Sequence, residues 1–305
     1  MHIKGLFSNR SVLFQSGLLL YFAFTGVLLS SAFGFAINFI LRIFLEGFYG
    51  DSTNTLFYFL HINQFFYSIL IFILPSICTA YFCSNKPSEF LCIKRSVNIR
   101  TLALSAVMVF LISPVIDIAS YLNSQIRLPE FMASVSEWML ETENRADQLT
   151  EKLLSQKGFF ALITNIFVIG IMAGLTEEIL FRGALMSIIR KKIKNPHAAI
   201  WIIAIIFSFI HFQFSGFIPR ILAGVFLGYL LYWTNNIWVP IFAHSLNNII
   251  AIVEYKMGLF NPSDKNSVLI NSDSGTYEFY TVITLAIAGL SLFLLCAKKI
   301  KFSDT

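Results

Sequence analysis

The strongest constraint on this chain is a series of long apolar segments that together occupy most of its 305 residues. A helix of about 20 apolar residues crosses the hydrocarbon core of a lipid bilayer, which is about 30 Å thick. Eight segments qualify: 12–41, 56–82, 101–122, 159–189, 195–212, 217–232, 237–253 and 280–297. The sequence therefore predicts an all-α, polytopic membrane helical bundle with about eight transmembrane helices.

The composition excludes several other classes of protein. Hydrophobic residues make up 56% of the chain and charged residues only 13%, whereas about 25% of the residues in a soluble domain are charged. These values exclude a soluble enzyme, a disordered chain and a nucleic-acid-binding domain. We therefore interpret 1–305 as a single membrane domain whose first partner is the lipid bilayer, and we interpret its net charge of +5 as a topology signal.

The distribution of basic residues predicts the orientation of the bundle. If the N-terminus lies inside, 13 of the 22 Lys and Arg residues fall in inner connections and 8 in outer ones. Arg220, near the start of the segment 217–232, is counted with the outer connections, and the remaining basic residue, Arg182, lies well inside a span. Because cytoplasmic connections carry the excess of Lys and Arg, both termini are predicted to be cytoplasmic.

The connection 123–157 is polar but has a helical pattern. Its apolar residues recur at three-, four- and seven-residue steps, and acidic residues fill the opposite face. The apolar residues are Phe131, Val135, Trp138, Met139, Leu149 and Leu153. This pattern predicts an interfacial amphipathic helix on the outer side of the membrane, acting as a lid or brace without chemistry of its own.

Three ionisable residues interrupt the fourth apolar segment. Such groups cost at least a few kcal/mol inside a bilayer, so each needs a partner or a function. Glu178 and Arg182 are four residues apart and can pair on one helix face. Glu177 is rotated by about 100° from Glu178 and has no cation one turn away. An unpaired carboxylate suits a general base, although a buried triad that only fixes helix packing is the alternative.

Two other segments carry polar residues that can meet this glutamate. His211 ends the fifth segment, and the seventh contains His244 and Asn248, four residues apart on one face. Glu177 and His211 each lie 17 residues from Lys194, which stands in the turn between their segments. Antiparallel helices would place them at matching depth, roughly 20–25 Å from that turn. We therefore expect four polar groups from three helices to converge near the middle of the membrane.

These residues form three ordered motifs on separate segments: Glu-Glu-x-x-x-Arg, Phe-x-x-x-His and His-x-x-x-Asn. They resemble the three motifs of the CPBP family, which comprises CAAX-type proteases and the bacteriocin-processing or self-immunity (Abi) proteins. The motifs cover residues 177–248, and no motif position departs from the family pattern. The resemblance implies that the segments of 159–253 form the catalytic core of the protein.

The resemblance also implies a role for each motif residue. Glu177 would activate the hydrolytic water, and His211 would hold or polarise that water. His244 and Asn248 would donate hydrogen bonds to the oxyanion of the tetrahedral intermediate. A base, a water site and oxyanion donors in a dry site are the minimum for hydrolysis of an amide.

Glu178 and Arg182 would support the site by fixing the fourth helix. The implied protein is an intramembrane endopeptidase that acts on a peptide or membrane protein near the inner leaflet. We expect a multi-pass protein of a bacterial plasma membrane. Ser208 and Ser245 neighbour the histidines in sequence, but the helical rotation directs them elsewhere, so we interpret both as packing residues.

A metal-dependent reaction is the alternative mechanism. Glu177, His211 and His244 could ligate zinc, but the sequence contains no His-Glu-x-x-His motif. Asn248 is a poor zinc ligand and a good oxyanion donor. We therefore favour a mechanism that uses glutamate and no cofactor, with zinc as the alternative.

Two further functions remain open at this stage. A non-catalytic bacteriocin-immunity or scaffold protein could retain the same bundle and motifs. A proton-coupled transporter could also use buried Glu and His residues as a relay. The transporter requires a polar path to both membrane faces, whereas the polar groups here cluster at one depth.

Overall fold

The computed structural model describes residues 3–45, 52–93, 96–259 and 276–303, and the statements below concern these residues. Within them every regular element is helical, and no strand occurs. The predicted all-α membrane bundle is confirmed.

The main helices follow the predicted segments closely. Their bounds are α1 (Val12–Leu45), α2 (52–83), α3 (Pro87–Phe90), α4 (Ile99–Ser124), α5 (Ala133–Leu154), α6 (Phe159–Ile189), α7 (Pro196–Phe209), α8 (Phe217–Thr234), α9 (Trp238–Lys256) and α10 (Thr276–Ser303). A single 3₁₀ turn, Glu130–Met132, precedes α5.

Six helices in the described residues are long and apolar enough to cross a membrane: α1, α2, α4, α6, α8 and α10. The 14-residue helix α7 is apolar but short. Helix α9 has 19 residues and includes several polar ones, which lower its hydropathy. The protein is therefore a multi-pass membrane protein, while the number of eight spans and the cytoplasmic termini stay predictions.

The start of α7 shows how local sequence sets a helix boundary. The side chain of Asn195 accepts a hydrogen bond from the backbone N–H of His197 at 2.9 Å. Pro196 occupies the first turn, where its missing N–H has no helical partner to lose. The Asn195-Pro196 pair therefore sets the beginning of α7.

The core of the bundle joins helices that are distant in sequence. One buried cluster combines Met108 of α4, Leu230 of α8, Ala243 of α9 and Phe293 of α10. A second joins the inner faces of α6 and α7, including Phe181 and Phe207. Helices α7 to α9 are therefore held between α6 on one side and α4 with α10 on the other.

A close approach of α6 and α9 positions the motif residues. A Cβ atom on Gly174 would lie 2.5 Å from Oγ and 2.8 Å from the backbone nitrogen of Ser245. Small residues at such crossings let two membrane helices approach closely. The absence of a side chain at Gly174 therefore lets His244 reach the glutamates of α6.

Helix α6 departs from regular α geometry on both sides of its glutamates. Two π-helical stretches, Ile166–Met172 and Ile179–Leu185, flank the α-helical turns Ala173–Glu178. Such wide turns occur frequently at functional sites. Glu177 and Glu178 thus stand at the end of a short regular stretch between two irregular ones.

Helix α5 confirms that the connection 123–157 contains a helix. Much of its predicted apolar face is open: Trp138 is 50% exposed and Leu149 is 47% exposed, whereas Leu153 is 9% exposed. Its position at the membrane interface stays a prediction.

Candidate active site

The predicted ion pair between Glu178 and Arg182 is confirmed. Arg182 Nη1 donates to Glu178 Oε1 at 2.8 Å, and both side chains are completely buried. Arg182 Nη2 also donates to the backbone oxygen of Gly224 in α8 at 3.0 Å. The guanidinium carbon lies 4.7 Å from the centre of the Phe207 ring. The pair thus ties α6 to α7 and α8 as well as neutralising its own charges.

His244 lies between the two adjacent glutamates. Its Nδ1 is 2.9 Å from Oε1 of Glu178, and its Nε2 is 3.8 Å from Oε2 of Glu177. Its side chain is 11% exposed and that of Glu177 is 17% exposed, while Glu178 is fully buried. The structure therefore separates a fixed, enclosed glutamate from a neighbour that retains access to the site.

His211 lies just outside α7, because that helix ends at Phe209 and not at the predicted Phe212. Its Nδ1 donates to the backbone oxygen of Phe207 at 2.7 Å. Ser208 Oγ bonds to the backbone oxygen of Phe217 at 2.7 Å, and Phe212 adopts a φ of 51°. The chain thus turns back towards α8 soon after His211, and this turn sets the position of the histidine.

Phe207 connects the histidines to the ion pair. The centre of its ring lies 4.7 Å from that of His211 and 6.1 Å from that of His244. It is also the ring against which Arg182 packs. The Phe of the Phe-x-x-x-His motif therefore supplies both the backbone acceptor for His211 and a shared packing surface.

Asn248 lies one turn beyond His244 on α9. Its Nδ2 donates a long hydrogen bond, 3.4 Å, to the backbone oxygen of Ile169 in α6. The structure thus links the six predicted residues in three ways. Direct polar contacts join Glu177, Glu178, Arg182 and His244. His211 is linked to this group by packing against Phe207, which also contacts Arg182 and His244. Asn248 is linked to it through the backbone of α6.

The two neighbouring serines bond to backbone oxygens. Ser245 Oγ donates to Ile171 at 3.5 Å, and Ser208 Oγ donates to Phe217. Neither of these bonds involves a histidine. Both contacts fit the interpretation of these residues as packing residues.

The site offers few neighbouring donor atoms to a metal. In the part of the chain that the structure describes, no group of three or more His, Cys, Asp or Glu side chains is arranged to hold an ion. The Nδ1 atoms of His211 and His244 are both engaged by protein oxygens. Glu177 Oε2 and His244 Nε2 are thus two neighbouring donors without a third, and we derive no step through zinc.

Arg220, which the distribution of charges assigns to an outer connection, acts electrostatically on the site. It lies within α8, where Nη2 donates to Gln213 Oε1 at 2.7 Å and Nη1 to the Gln213 backbone oxygen at 3.2 Å. It interacts electrostatically with Glu177 of α6 and with Glu143 of α5. Its position near the beginning of an apolar segment was the available signal, but counting it as a connection charge concealed its role.

Comparison with known proteins supports the motif assignment. Residues 159–250, which span α6 to most of α9, match the family model of type II CAAX prenyl endopeptidase Rce1-like proteins. The chain is also similar to the uncharacterized protein YpbD of Bacillus subtilis (strain 168), with 28% identity over 100 residues. That similarity covers 32% of this chain and 46% of YpbD, so the chain spans less than half the length of this curated relative.

No solved structure matches this chain. The matched family segment contains all three motifs, and the resemblance to the CAAX-type proteases is therefore confirmed for α6 to α9. The family model thus matches the part of the bundle that contains the motifs, and further helices precede and follow this segment.

Proposed function

We propose that this protein is an intramembrane endopeptidase in which Glu177 activates a water molecule for attack on a peptide bond. The unequal environment of the two adjacent glutamates carries the proposal. Glu178 is fixed by Arg182 and His244, whereas the polar contact of Glu177 within the described residues is with His244 Nε2 at 3.8 Å. Glu177 is therefore the carboxylate with freedom to accept a proton from water.

The proposed reaction proceeds in two proton transfers. Glu177 takes a proton from water as the water oxygen attacks the carbonyl carbon of the scissile amide. The carbonyl π bond opens to an oxyanion, and the tetrahedral intermediate forms. Glu177 then returns its proton to the departing amide nitrogen as the oxyanion re-forms the carbonyl and the C–N bond breaks, which releases a free amine and a carboxylic acid.

His211 is assigned to hold the attacking water. Since its Nδ1–H donates to the Phe207 oxygen, a neutral ring presents an unprotonated Nε2. Such a nitrogen accepts a hydrogen bond from water and orients a lone pair of the water towards the substrate. This role follows from the tautomer that the backbone contact selects.

His244 and Asn248 are assigned to the oxyanion. Because His244 Nδ1 faces the Glu178 carboxylate, donation from Nε2 requires a proton on both ring nitrogens. The negative charge of Glu178 stabilises that cationic form. Asn248 now makes only a 3.4 Å bond to Ile169, so its amide can turn to a developing negative charge with little loss.

The proposed substrate is a peptide or a membrane-protein segment that reaches the bilayer. The matched family is named for prenylated CAAX substrates, and a prenylated CAAX peptide is therefore the first candidate to test. A peptide segment of a bacterial membrane protein is the second, and comparative peptidomics of cells can identify it.

The test compares the wild-type protein with Glu177→Gln, which removes the base and preserves shape. Purified, full-length proteins in lipid vesicles are incubated with the prenylated CAAX peptide and with its unprenylated counterpart. In parallel, peptides are compared between cells that express either protein. We expect products with the wild type and none with Glu177→Gln.

Glu141→Gln is the matched control, because Glu141 is an exposed glutamate of α5 that pairs only with Arg145 in the described contacts. It should cleave like the wild type. Equal cleavage by Glu177→Gln would overturn the assignment of the base. Full biological activity of Glu177→Ala in cells would instead favour the non-catalytic immunity or scaffold protein.

A further inference from the structure

Helix α5 places one acidic side chain inside the protein. Glu143 is 5% exposed, whereas the side chain of Glu141 on the same helix is 69% exposed. Glu143 Oε1 accepts hydrogen bonds from the backbone N–H of Ser215 at 3.2 Å and from the Ser215 hydroxyl. A buried carboxylate that accepts two hydrogen bonds from one residue attaches its helix to that residue, unlike a charge on the solvated face of a helix.

Ser215 belongs to the connection 210–216, which joins α7 to α8 and contains His211. The end of α4 holds the same connection, because Asn123 Nδ2 donates to the backbone oxygens of Phe214 and Ser215 at 2.8 and 2.7 Å. Trp138 of α5 also packs edge-on against Phe212, with ring centres 6.2 Å apart. The chain around His211 is thus held by two elements that lie outside the family-matched segment.

A second link runs from Glu143 to the site through charge. Arg220 interacts electrostatically with both Glu143 and Glu177. It is also bonded to Gln213 in the His211 connection. Glu143 is therefore linked to the site through the connection that carries His211, and the charge of Arg220 acts on both Glu143 and Glu177.

We propose that Glu143 is a positioning residue for His211, acting through Ser215, and that α5 is consequently part of the active-site structure. This inference rests on the proposed function. Helix α5 is then not only a lid or brace but an element that helps to place the attacking water.

The effect of Glu143 on His211 depends on how many contacts hold the connection 210–216 in place. Without Glu143, the Ser215 N–H and hydroxyl lose this acceptor, and the turn keeps its polar contacts with Asn123 and Arg220. The backbone near His211 gains freedom, and a displacement of about 1 Å of a positioned group is enough to lower a rate about 100-fold. Substrate binding depends on other surfaces and changes less.

The variants Glu143→Ala and Glu143→Gln separate positioning from a general loss of packing. Gln keeps an oxygen acceptor at the same place, and Glu141→Ala is the control for removal of a glutamate from α5. Cleavage of the prenylated CAAX peptide, or of the peptide found by peptidomics, is measured with the full-length protein. Glu143→Ala should lower kcat about tenfold or more with KM changed less than about threefold, because the lost interaction acts on the transition state.

Glu143→Gln should restore kcat to within about threefold of the wild type, since the amide oxygen can replace the carboxylate oxygen as acceptor. Glu141→Ala should leave both constants unchanged. Wild-type kinetics in Glu143→Ala, or a Glu143→Gln variant as slow as Glu143→Ala, would overturn the positioning role. Neither outcome would affect the assignment of Glu177.

Amide hydrogen exchange supplies a readout that needs no substrate. In Glu143→Ala, peptides that contain Ser215 should exchange at least about tenfold faster, because that N–H has lost its acceptor. Glu143→Gln and Glu141→Ala should exchange like the wild type. If exchange is unchanged in Glu143→Ala, the positioning role fails whether or not the protein cleaves peptides. If exchange rises but the wild type cleaves no peptide, the attachment of α5 to the connection stands and the proposed function is overturned.

Discussion

The Nδ1 atom of His244 lies 2.9 Å from Oε1 of Glu178, across the contact between α9 and α6. The same oxygen accepts the hydrogen bond from Arg182. One carboxylate oxygen therefore compensates a buried cation and orients a site histidine. The neighbouring Glu177 takes no part in that pairing, as its proposed role as general base requires.

We predict opposite consequences for changes at the two glutamates. Glu178→Ala leaves Arg182 buried without its counter-ion, which destabilises a protein by about 3–5 kcal/mol. Glu177→Gln leaves that pair intact, so its unfolding temperature should stay near that of the wild type while its cleavage activity is lost. Thermal unfolding of both variants in the same detergent measures the difference. A Glu177→Gln protein as unstable as Glu178→Ala would show that both carboxylates serve packing.

Asn248 and Ser245 provide a test of the oxyanion site. Removal of a single oxyanion donor costs about 10²–10³-fold in kcat, and we expect a loss of this size in Asn248→Ala. Ser245→Ala should retain activity, because its hydroxyl bonds to the Ile171 backbone and is assigned no chemical role. Steady-state kinetics on purified variants decides the point. Loss of all activity in Ser245→Ala would instead support a serine nucleophile.

The contact between α6 and α9 should tolerate no side chain at Gly174. A methyl group there would meet the backbone of Ser245, which cannot rotate away, and overpacking of this kind costs about 1–3 kcal/mol. Gly174→Ala should therefore lower both stability and activity, since it moves His244 from Glu178. Gly17→Ala is the matched control, because no atom lies within 4 Å of the added carbon. Equal behaviour of the two variants would contradict this account of the crossing.

We predict that cleavage does not require a metal. A strong chelator should leave the purified protein active, because the favoured mechanism uses the Glu177 carboxylate and no cofactor. The measurement is the rate of peptide cleavage before and after dialysis against the chelator. Loss of activity that added zinc restores would instead assign Glu177, His211 and His244 to a metal.

The predicted orientation can be tested separately from activity. Because basic residues favour the connections on the side of both termini, a fluorescent protein fused after Thr305 should fold and fluoresce in the cytoplasm. A periplasmic or extracellular reporter at the same position should be inactive. The reverse pattern would place the connection 123–157 on the inner side of the membrane.

The local interactions of the site and the approach of its three helices were predicted from the sequence, whereas the specific contacts between the helices were not. Glu178 and Arg182 are one helical turn apart, so their pairing follows from helix geometry alone. The contact of Glu178 with His244 joins residues 66 positions apart. It depends on the close approach at Gly174, which no periodicity reveals.

The sequence pattern also did not indicate that Arg220 and Glu143 approach the site from its edges. Arg220 lies near the beginning of an apolar segment, and Glu143 lies on an amphipathic helix. Charged residues at such positions are usually solvated. Only the folded turn 210–216 brings them towards Glu177 and His211. That turn begins earlier than predicted, because α7 ends at Phe209 and the apolar run beyond it gives no stop signal.

The pairing of Glu178 and Arg182 on a single helix also bears on how the protein is made. A charged side chain at the centre of a nascent transmembrane segment costs about 2.5–3.5 kcal/mol when the insertion machinery releases it into lipid. Because both members of this pair lie on α6, they can neutralise each other before α9 has been synthesised. Among the ionisable residues of α6, Glu177 alone then enters the bilayer without a partner on its own helix, and its contact with His244 forms once α9 has been inserted.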